Sequence, residues 1–436
     1  MTVAEVHLWG RRIGAVTLAD DSTTAVFAYD REFARSGIEV APLTMPLQAE
    51  RPYAFPNLSP ETFRGLPGLL ADALPDRFGN ALIDAWIASQ GRPPDDFDVV
   101  ERLCYIGTRA MGALEFVPAR GPRPRTGETL QISTLVDLAA EVLTQRERFA
   151  ASLREHGHEA AMRDILMVGT SAGGARAKAV IAWNEATGEV RSGQVDAGDG
   201  FGQWLLKFDG VSGDPTRELD GTEGYGAREY AYHLMARDAG IAMSECRLLP
   251  ENGRRHFMTR RFDRLPGGGK LHMQSLGALA HFDFNLAGAY SYEQALLTIR
   301  RLGLPMDAVE QQFRRAAFNV VARNQDDHVK NIAFLMDRSG AWSLSPAFDV
   351  TYAYNPSGAQ TRVHQMSLNG KRDGFAVEDF RACGVTASLR RGRAETILRE
   401  VREAVMRWPQ HAAAAGVPES DAVRIARTHR IDLPRG

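Results

Sequence analysis

Residues 324–331 read Asn-Gln-Asp-Asp-His-Val-Lys-Asn, a dense group of side chains able to do chemistry. Within it, Asp326 and Asn331 lie five positions apart. A phosphoryl-transfer site needs one carboxylate to take the proton of the attacking hydroxyl and one carboxamide to hold a metal ion beside it. The segment therefore predicts a catalytic base at Asp326 and a metal ligand at Asn331. Polar clusters between apolar runs are also typical of solvated loops, so the motif alone leaves both interpretations open.

A second acid, Asp349, follows an apolar residue eighteen positions after Asn331. Between them, residues 332–336 and 341–344 are apolar and flank the polar run 337–340, which predicts two strands joined by a tight turn. Such a hairpin would return Asp349 to the side of Asn331, where both could bind one metal ion. Protein kinases have the aspartate of their second metal-binding motif in a comparable position.

A run of small residues at 168–178 ends in Lys178. Small residues allow successive backbone N–H groups to turn toward an anion, and the lysine adds positive charge. The run matches neither the Walker A pattern nor G-x-G-x-x-G. It precedes a predicted strand at 179–183, as the phosphate-covering loop of a kinase does. A flexible connector has the same composition, so that interpretation also stays open.

Lys207 stands inside an apolar strand predicted at 204–208, where its ammonium group needs a partner. In kinases, nucleotide phosphates and a helix glutamate are those partners. Glu229, in a helix predicted at 227–236, is the candidate glutamate. The alternatives are an edge-strand lysine with its charged end in water and an exposed acid favoured by the helix dipole.

These motifs and the remaining elements predict an α+β chain with a two-lobed, protein-kinase-like fold. Residues 1–120 are expected to form an N-terminal β-rich subdomain, 121–263 a strand-rich N-lobe, and 264–436 an all-helical C-lobe. The predicted elements are strands within 3–30, helices at 78–86 and 132–143 (the latter capped by Thr134 and Asp137), a hairpin around Asn252-Gly253, helices at 292–301 and 306–323, and a helical tail at 377–430.

Bulk properties exclude several classes of protein. The formal net charge of −2 and the pI of about 6.6 do not favour nucleic-acid binding through bulk charge. Three widely separated cysteines predict neither a disulfide framework nor a zinc site, and they favour a reducing compartment. We find no signal-peptide pattern and no apolar run near the ~20 residues of a membrane span, so we expect a cytoplasmic protein that does not bind membranes.

The combination of motifs resembles the HipA family of toxin serine/threonine kinases, which belong to two-gene toxin–antitoxin systems. The likeness covers nearly the whole chain, including the N-terminal extension with Leu74-Pro75-Asp76. The residues that carry it are 169–178 (Gly-Thr-Ser-Ala-Gly-Gly-Ala-Arg-Ala-Lys), 261–264 (Arg-Phe-Asp-Arg), 326–331 (Asp-Asp-His-Val-Lys-Asn), Phe348-Asp349, and 366–371 (Met-Ser-Leu-Asn-Gly-Lys). The chain departs from the best-known member at Arg260, where that protein has an acid, and at Arg176-Ala177, which replace a Gln-Glu pair.

The resemblance implies an ATP- and Mg²⁺-dependent protein kinase with Asp326 as base and with Asn331 and Asp349 on the metal. It places Lys207 on the phosphates, with Glu229 as the candidate partner of that lysine. Ser171 matches the family position whose autophosphorylation silences the kinase. The residues expected to contact ATP are Ala172, Gly173, Gly174, Ala175, Lys178, Lys207, Arg260, Phe262, His328, Lys330, Asn331 and Asp349.

The resemblance also implies partners. A small HipB-like helix-turn-helix antitoxin would bring the pair to operator DNA, so that contact with DNA is indirect. The implied substrate is a translation component such as an aminoacyl-tRNA synthetase, since glutamyl-tRNA synthetase is the family's best-known target. Two other functions stay open. One is a small-molecule kinase of the aminoglycoside or choline type, and the other is a catalytically idle co-repressor that acts through its antitoxin.

Overall fold

The computed structural model describes residues 1–122, 127–144, 159–169, 176–211, 224–358 and 360–435. Contacts between backbone positions divide the chain into two compact units. The first unit comprises Met1–Pro215, Leu249–Gln274 and Leu335–Ala341, and the second comprises Thr216–Leu248, Ser275–Phe334 and Trp342–Gly436. Each unit therefore contains more than one stretch of the sequence.

Strands and helices both contribute to the architecture. The strands are β1 (Thr2–Leu8), β2 (Arg11–Leu18), β3 (Val26–Tyr29), β4 (Pro52–Tyr53), β5 (Leu114–Val117), β6 (Lys178–Trp183), β7 (Val190–Ser192), β8 (Gly202–Lys207), β9 (Cys246–Glu251), β10 (Arg254–Arg260), β11 (His272–Ser275), β12 (Ala333–Met336) and β13 (Trp342–Leu344). The α-helices are α1 (Arg31–Ala34), α2 (Pro60–Phe63), α3 (Gly68–Ala71), α4 (Arg77–Ser89), α5 (Val99–Ile106), α6 (Ile132–Thr144), α7 (Glu159–Val168), α8 (Tyr225–Asp238), α9 (Leu276–Ala280), α10 (Tyr292–Arg301), α11 (Met306–Val321), α12 (Val377–Thr386), α13 (Arg393–Met406), α14 (Trp408–Ala415) and α15 (Glu419–Ala426). None of the helices within the described ranges combines the length and the apolar character that crossing a lipid bilayer requires.

The first sheet of the first unit has the strand order β4-β3-β2-β1-β5, and all neighbours are antiparallel. Strands β1 and β2 form the predicted hairpin, and its turn residues Trp9 and Gly10 have positive φ values of 52° and 78°. Two such residues in a row suit the twist of a tight hairpin. Ala4, Val6 and Leu8 alternate as buried residues along β1, so one face of the sheet packs into the core.

The second sheet has the order β7-β6-β8-β10-β9, and its edge strand β9 begins in the second unit and ends in the first. The predicted hairpin between β9 and β10 is confirmed, with φ values of 42° at Asn252 and 81° at Gly253. Lys207 on the central strand β8 lies opposite Lys178 on β6 and Phe257 on β10. Because β8 has neighbours on both sides, the alternative of an edge-strand lysine does not hold for Lys207.

Helices α4, α6 and α7 cover this sheet with a continuous apolar core. Its members include Phe78, Leu82, Leu135, Ala139, Ile165, Ile181 and Leu206. The predicted helix at 132–143 is confirmed as α6, but its predicted capping pair is wrong because Thr134 is the third helical residue. Ile132 is only 8% exposed within the same core, and burying it extends the helix beyond the predicted cap.

The second unit is built largely from helices. The two helices predicted at 292–301 and 306–323 are confirmed as α10 and α11. Helix α10 begins with a capping box between Ser291 and Gln294, and α11 packs against both α10 and α13. The apolar face of α11 buries Phe313 and Phe318 completely. Packing of α11 on two helices gives a rigid support for the polar segment that follows it.

The hairpin predicted after that segment is confirmed as β12 and β13. At its tip, the carboxylate of Asp337 accepts hydrogen bonds from the backbone N–H groups of Ser339 and Ala341 at 2.8 and 3.1 Å. At its base, the N–H of Ser345 donates to the carbonyl of Ala333 at 3.0 Å. The chain therefore returns after residue 344 toward the place where it entered the hairpin.

Candidate active site

The segment 324–331 leaves helix α11 through Arg323, a left-handed residue with a φ of 59°. The carboxamide of Asn324 donates to the side-chain oxygen of Asn319 at 2.9 Å, and the backbone N–H of Asn324 donates to the carbonyl of Asn319 at 3.0 Å. Arg323 Nε donates to the carbonyl of Thr428 at 2.8 Å. These bonds fix the start of the segment to the end of the helix.

Asp326, the predicted base, has a side chain that is 38% exposed. Its backbone carbonyl accepts a hydrogen bond of 2.9 Å from the carboxamide Nδ2 of Asn331. The nearest charged partner of its carboxylate is His328, whose Nε2 lies 3.9 Å away and beyond hydrogen-bonding distance. Asp326 therefore combines a fixed backbone with a carboxylate that solvent or a substrate hydroxyl can reach.

The neighbouring carboxylate of Asp327 is in the opposite situation, with a side chain that is 1% exposed. Its Oδ2 accepts from the hydroxyl of Tyr292 at 2.5 Å and lies 2.7 Å from Nδ1 of His364. Its Oδ1 accepts from the backbone N–H of Gln365 at 2.8 Å. Burial alone would raise the pKa of Asp327, but His364 and these hydrogen bonds hold that pKa below its usual value. Asp327 is thus an ionised anchor with both oxygens occupied.

Asn331 and Asp349 line one pocket of the second unit. This pocket has an empty volume of about 420 Å³, counting the space that opens to solvent. Its other lining residues are Ile241, Tyr292, Gln312, Arg315, Phe318, Asn319, Asn324, Asp327, His328, Ile332, Ala347, Phe348 and Val350. The hairpin of β12 and β13 thus returns Asp349 to the neighbourhood of Asn331, the arrangement expected from the sequence. Asp349 has a φ of 56°, a conformation that aspartate adopts more readily than most other residues.

The inner wall of the pocket carries buried polar groups that sequence reasoning missed. Gln312 and Arg315, three residues apart on α11, are 1% and 7% exposed. Arg315 Nη2 donates to the carbonyl of Ser345 at 2.7 Å, and burial lowers the pKa of Arg315 to about 9. Gln312 Oε1, Arg315 Nε and Asn324 Oδ1 have no hydrogen-bond partner within the part of the chain that the structure describes. The sequence signal that could have revealed Gln312 and Arg315 was the presence of polar residues on the apolar face of the predicted helix 306–323.

The donor groups at the mouth of this pocket fit a magnesium ion. The Asp349 carboxylate and the Asn331 side-chain carbonyl are oxygen ligands, which Mg²⁺ prefers over nitrogen and sulfur. Among the described residues, no group of three or more histidine, cysteine, aspartate or glutamate side chains could hold a metal by itself. A metal here would therefore need further oxygen ligands, and Mg²⁺ in nucleotide sites commonly takes them from phosphates and water.

His328 and Lys330 both contact the aromatic ring of Phe284. The His328 ring centroid is 5.7 Å from that of Phe284, and Lys330 Nζ lies 5.2 Å from the Phe284 centroid. His328 Nδ1 has no hydrogen-bond partner among the described residues. Both residues belong to the same segment as Asp326. Their contact with ATP stays a prediction.

Both predicted lysines belong to the first unit and have protein partners there. Lys178 Nζ forms a buried ion pair of 3.2 Å with Asp76, the capping residue of α4. Lys207 Nζ lies 5.8 Å from the ring centroid of Phe257 on the neighbouring strand. Asp76 is the acid of the Leu74-Pro75-Asp76 motif, to which the sequence alone assigns no partner. The ATP contacts of both lysines stay predictions.

The motif at 261–264 forms a buried ion cluster around Asp263. Arg261 donates to the two oxygens of Asp263 at 2.9 and 2.7 Å, and Arg264 donates at 2.8 Å. The backbone N–H of Gly112 adds a fourth bond of 2.7 Å. Burial alone would raise the pKa of Asp263, but the two arginines hold that pKa well below its usual range. Beside the cluster, Arg260 is exposed and Phe262 is half-buried, and their contacts with ATP stay predictions.

Two further parts of the predicted site stay predictions. Glu229 is 4% exposed in helix α8, so the alternative of an exposed first-turn acid is wrong. Glu229 belongs to the second unit and Lys207 to the first, and their pairing stays a prediction. Ser171, Ala172, Gly173, Gly174 and Ala175 lie outside the described residues.

Family models match most of the chain. The model of the HipA N-terminal domain matches residues 4–117, and that of the HipA-like C-terminal domain matches residues 170–408. No curated protein sequence matches the chain closely enough to count as a relative.

Solved structures show the same kinship in the fold. The chain is similar to HipA of Shewanella oneidensis from the toxin–antitoxin complex with HipB and operator DNA, with a TM-score of 0.68 and 17% identity, covering 97% of this chain and 94% of that chain. At such identity the likeness shows the fold, and it confirms the predicted α+β fold of the HipA type. The proinflammatory kinase CtkA of Helicobacter pylori matches with a TM-score of 0.29 and 11% identity over 52% of this chain and 92% of that chain, too low to support an argument.

Proposed function

The chain belongs to the HipA family, and we propose that it is an ATP- and Mg²⁺-dependent serine/threonine protein kinase that acts as the toxin of a toxin–antitoxin pair. The observation that carries this proposal is that the residues of the segment 326–331 have different environments. Asp327 is buried and occupied, whereas the Asp326 carboxylate is accessible and Asn331 shares a pocket with Asp349. A base beside two oxygen ligands is the arrangement that phosphoryl transfer to a hydroxyl requires.

In the proposed mechanism, Asp326 accepts the proton of the attacking serine or threonine hydroxyl. Asn331 has two tasks, because its Nδ2 holds the carbonyl of Asp326 while its side-chain oxygen is available to a metal. Asp349, which lines the same pocket, would supply the negatively charged ligand. Bound ATP with Mg²⁺ would supply the phosphoryl group and neutralise its charge. The polypeptide thus contributes position and electrostatics rather than covalent chemistry.

Regulation and partners follow from the family. We assign Ser171 as the site whose autophosphorylation switches the kinase off, and Lys207 with Glu229 as the pair that holds the phosphates. We propose a HipB-like helix-turn-helix antitoxin as partner, with DNA contacted only through it. The structure of the Shewanella complex, which contains HipA, HipB and operator DNA, supports this choice. The proposed substrate is a cytoplasmic translation component, such as an aminoacyl-tRNA synthetase.

Labelled ATP tests the proposal. The purified chain, γ-labelled ATP and Mg²⁺ are incubated with cell extract, and label in protein is separated from label in small molecules. We expect a labelled protein band and a melting temperature that rises with ATP and Mg²⁺ together. The matched control is Asp349→Asn, which removes the ligand charge but suits the same backbone conformation. Label in a small product, or no magnesium-dependent thermal shift, would contradict the proposal.

A further inference from the structure

The direction of the Asp326 carboxylate depends on its backbone. Within the described part of the chain this carboxylate accepts no hydrogen bond, and its one charged neighbour is His328 at 3.9 Å. The Asn331 bond holds the Asp326 carbonyl, which is part of the peptide that joins Asp326 to Asp327. That peptide leads directly to Asp327, whose side chain is held by three donors. The peptide that carries Asp326 is therefore held at one end by Asn331 and at the other by the partners of Asp327.

One of those donors belongs to a chain of contacts that reaches Arg430, in the segment after α15. His364, which is fully buried, lies with Nδ1 at 2.7 Å from Asp327 Oδ2 and with Nε2 at 2.8 Å from Nη1 of Arg430. Arg430 also bonds to the carboxylate of Asp373, and its guanidinium carbon lies 5.3 Å from the ring centroid of Phe375. The Phe375 ring in turn packs edge-on against His364 at 5.4 Å.

The chemistry of arginine fixes the protonation pattern of this chain. A guanidinium group only donates hydrogen bonds, so His364 Nε2 must offer its lone pair to Arg430. The imidazole proton then sits on Nδ1, from which it is donated to Asp327. The Asp327 carboxylate only accepts hydrogen bonds, so it selects the same tautomer; without Arg430, Nε2 would lose the donor that holds the His364 ring from its other side.

Arg430 is well placed for such a task. Its backbone N–H donates to the carbonyl of Val321 at 2.9 Å, and its Nη1 donates to the carbonyl of Val320 at 3.0 Å. It is thereby tied to the last turn of α11, directly before the segment that contains Asp326. Arg430 lies in the segment after α15, outside the two stretches that match the family models.

We propose that His364 and Arg430 are positioning residues for phosphoryl transfer by Asp326, which they orient through Asp327. This inference rests on the proposed kinase function. Neither residue needs to touch substrate, because the effect passes through the Asp327 carboxylate and the backbone that it shares with Asp326. The C-terminal segment would then help to set the catalytic rate of a site that it does not line.

The test compares the kinetic constants of three variants of the whole chain. Arg430→Met keeps an apolar stem of similar length but removes the donor, and Arg430→Lys restores a charged donor. We expect Arg430→Met to lower kcat about 10- to 100-fold with KM for ATP unchanged, since small misplacements of a catalytic group act on rate. Arg430→Lys should recover part of the loss. Arg427→Met, at an exposed arginine three residues earlier, is the matched control and should retain the wild-type kcat.

A second pair keeps the inference testable if Arg430→Met fails to fold. His364→Asn can still donate to Asp327 and should retain more activity than His364→Leu, which cannot donate. In ¹⁵N-labelled protein, we expect the Nδ1-protonated form of His364 in the wild type and a changed Nε2 signal in Arg430→Met, where Nε2 loses its donor. Folded variants with wild-type kcat would overturn the inference while leaving the kinase proposal intact. A wild-type chain that transfers no phosphate would overturn both.

Discussion

Two acidic motifs, one in each unit, use their carboxylates in different ways. At 261–264, the only acid is Asp263, and two arginines and the Gly112 N–H occupy both of its oxygens in the interior. In the segment 326–331, Asp327 is the acid whose two oxygens are both occupied by hydrogen-bond partners. Its neighbour Asp326 keeps a carboxylate that is 38% exposed.

The difference shows what separates a structural acid from a candidate catalytic acid in this chain. Both motifs are equally recognisable in the sequence, and both contain buried, ionised aspartates. Only the second places another carboxylate directly beside its anchor, so the anchor supplies rigidity and the neighbour stays accessible. An acidic motif therefore indicates catalysis only when one of its carboxylates is free of structural hydrogen bonds.

The largest expected effect is on stability at the first motif. Asp263→Ala removes the shared partner of Arg261 and Arg264 and leaves two largely buried guanidinium groups without it. We expect the free energy of unfolding to fall by about 3–5 kcal/mol in chemical denaturation. Glu50→Ala is the control, since it breaks an exposed pair with Arg31 and should leave the melting temperature unchanged. Equal stability of the two variants would remove the structural role of Asp263.

A smaller loss is expected at the second anchor. Asp327→Asn keeps the size of the side chain but replaces one acceptor with a donor that faces Tyr292 or His364. We expect the free energy of unfolding to fall by about 1–3 kcal/mol, the range for a buried polar mismatch. Denaturant titration of this variant beside Asp326→Asn measures the contrast, and Asp326→Asn should match the wild type. A stable Asp327→Asn protein would contradict the anchor role.

Acid titration sharpens the comparison further. The pKa values of Asp263 and Asp327 are lowered in the folded protein relative to about 3.9 in the unfolded chain. Their stabilisation is therefore fully present above pH about 4 and is lost as the pH falls toward the folded pKa. Each carboxylate contributes a slope of about 1.4 kcal/mol per pH unit in that window. In Asp263→Asn, the free energy of unfolding should fall less steeply below pH about 4 than in the wild type. An unchanged slope would contradict the lowered pKa of Asp263.

The smallest effect concerns the backbone at Asp349. Its φ of 56° disfavours alanine more than asparagine or aspartate. We expect Asp349→Ala to lower the free energy of unfolding by about 1 kcal/mol relative to Asp349→Asn, while both lose the ligand charge. Thermal unfolding of the two variants side by side tests this. Identical stabilities would show that the left-handed conformation is not a constraint at this position.

Much of the local structure was predictable because its determinants are close in sequence. Asn252-Gly253 suits the two positive φ values of its turn, and the hairpin after Asn331 follows from two apolar runs around a polar one. The same short hairpin is why the approach of Asp349 to Asn331 could be expected. The missed features depend on distant residues. His364 and Arg430 lie 37 and over 100 positions from Asp327, beyond what motif spacing can relate.

Tertiary packing also explains one wrong prediction, the cap of α6, and two overlooked features, the Lys178–Asp76 pair and Arg315. Burial of Ile132 starts α6 two residues before the predicted cap. The ion pair of Lys178 with Asp76 joins residues about 100 positions apart. Arg315 was overlooked because its helix reads as ordinarily amphipathic, and only the fold reveals that its charge faces the pocket that Asn331 and Asp349 line.

The central claim is that Asp327 anchors the segment while Asp326 acts as the catalytic base. The rate of phosphate transfer by Asp326→Asn tests this claim most directly. With ATP, Mg²⁺ and a protein acceptor, we expect the rate to fall about 100- to 10,000-fold, the range for loss of a general base. The melting temperature should stay at the wild-type value because the Asp326 side chain holds no part of the fold. Transfer at the wild-type rate by this variant would contradict the account.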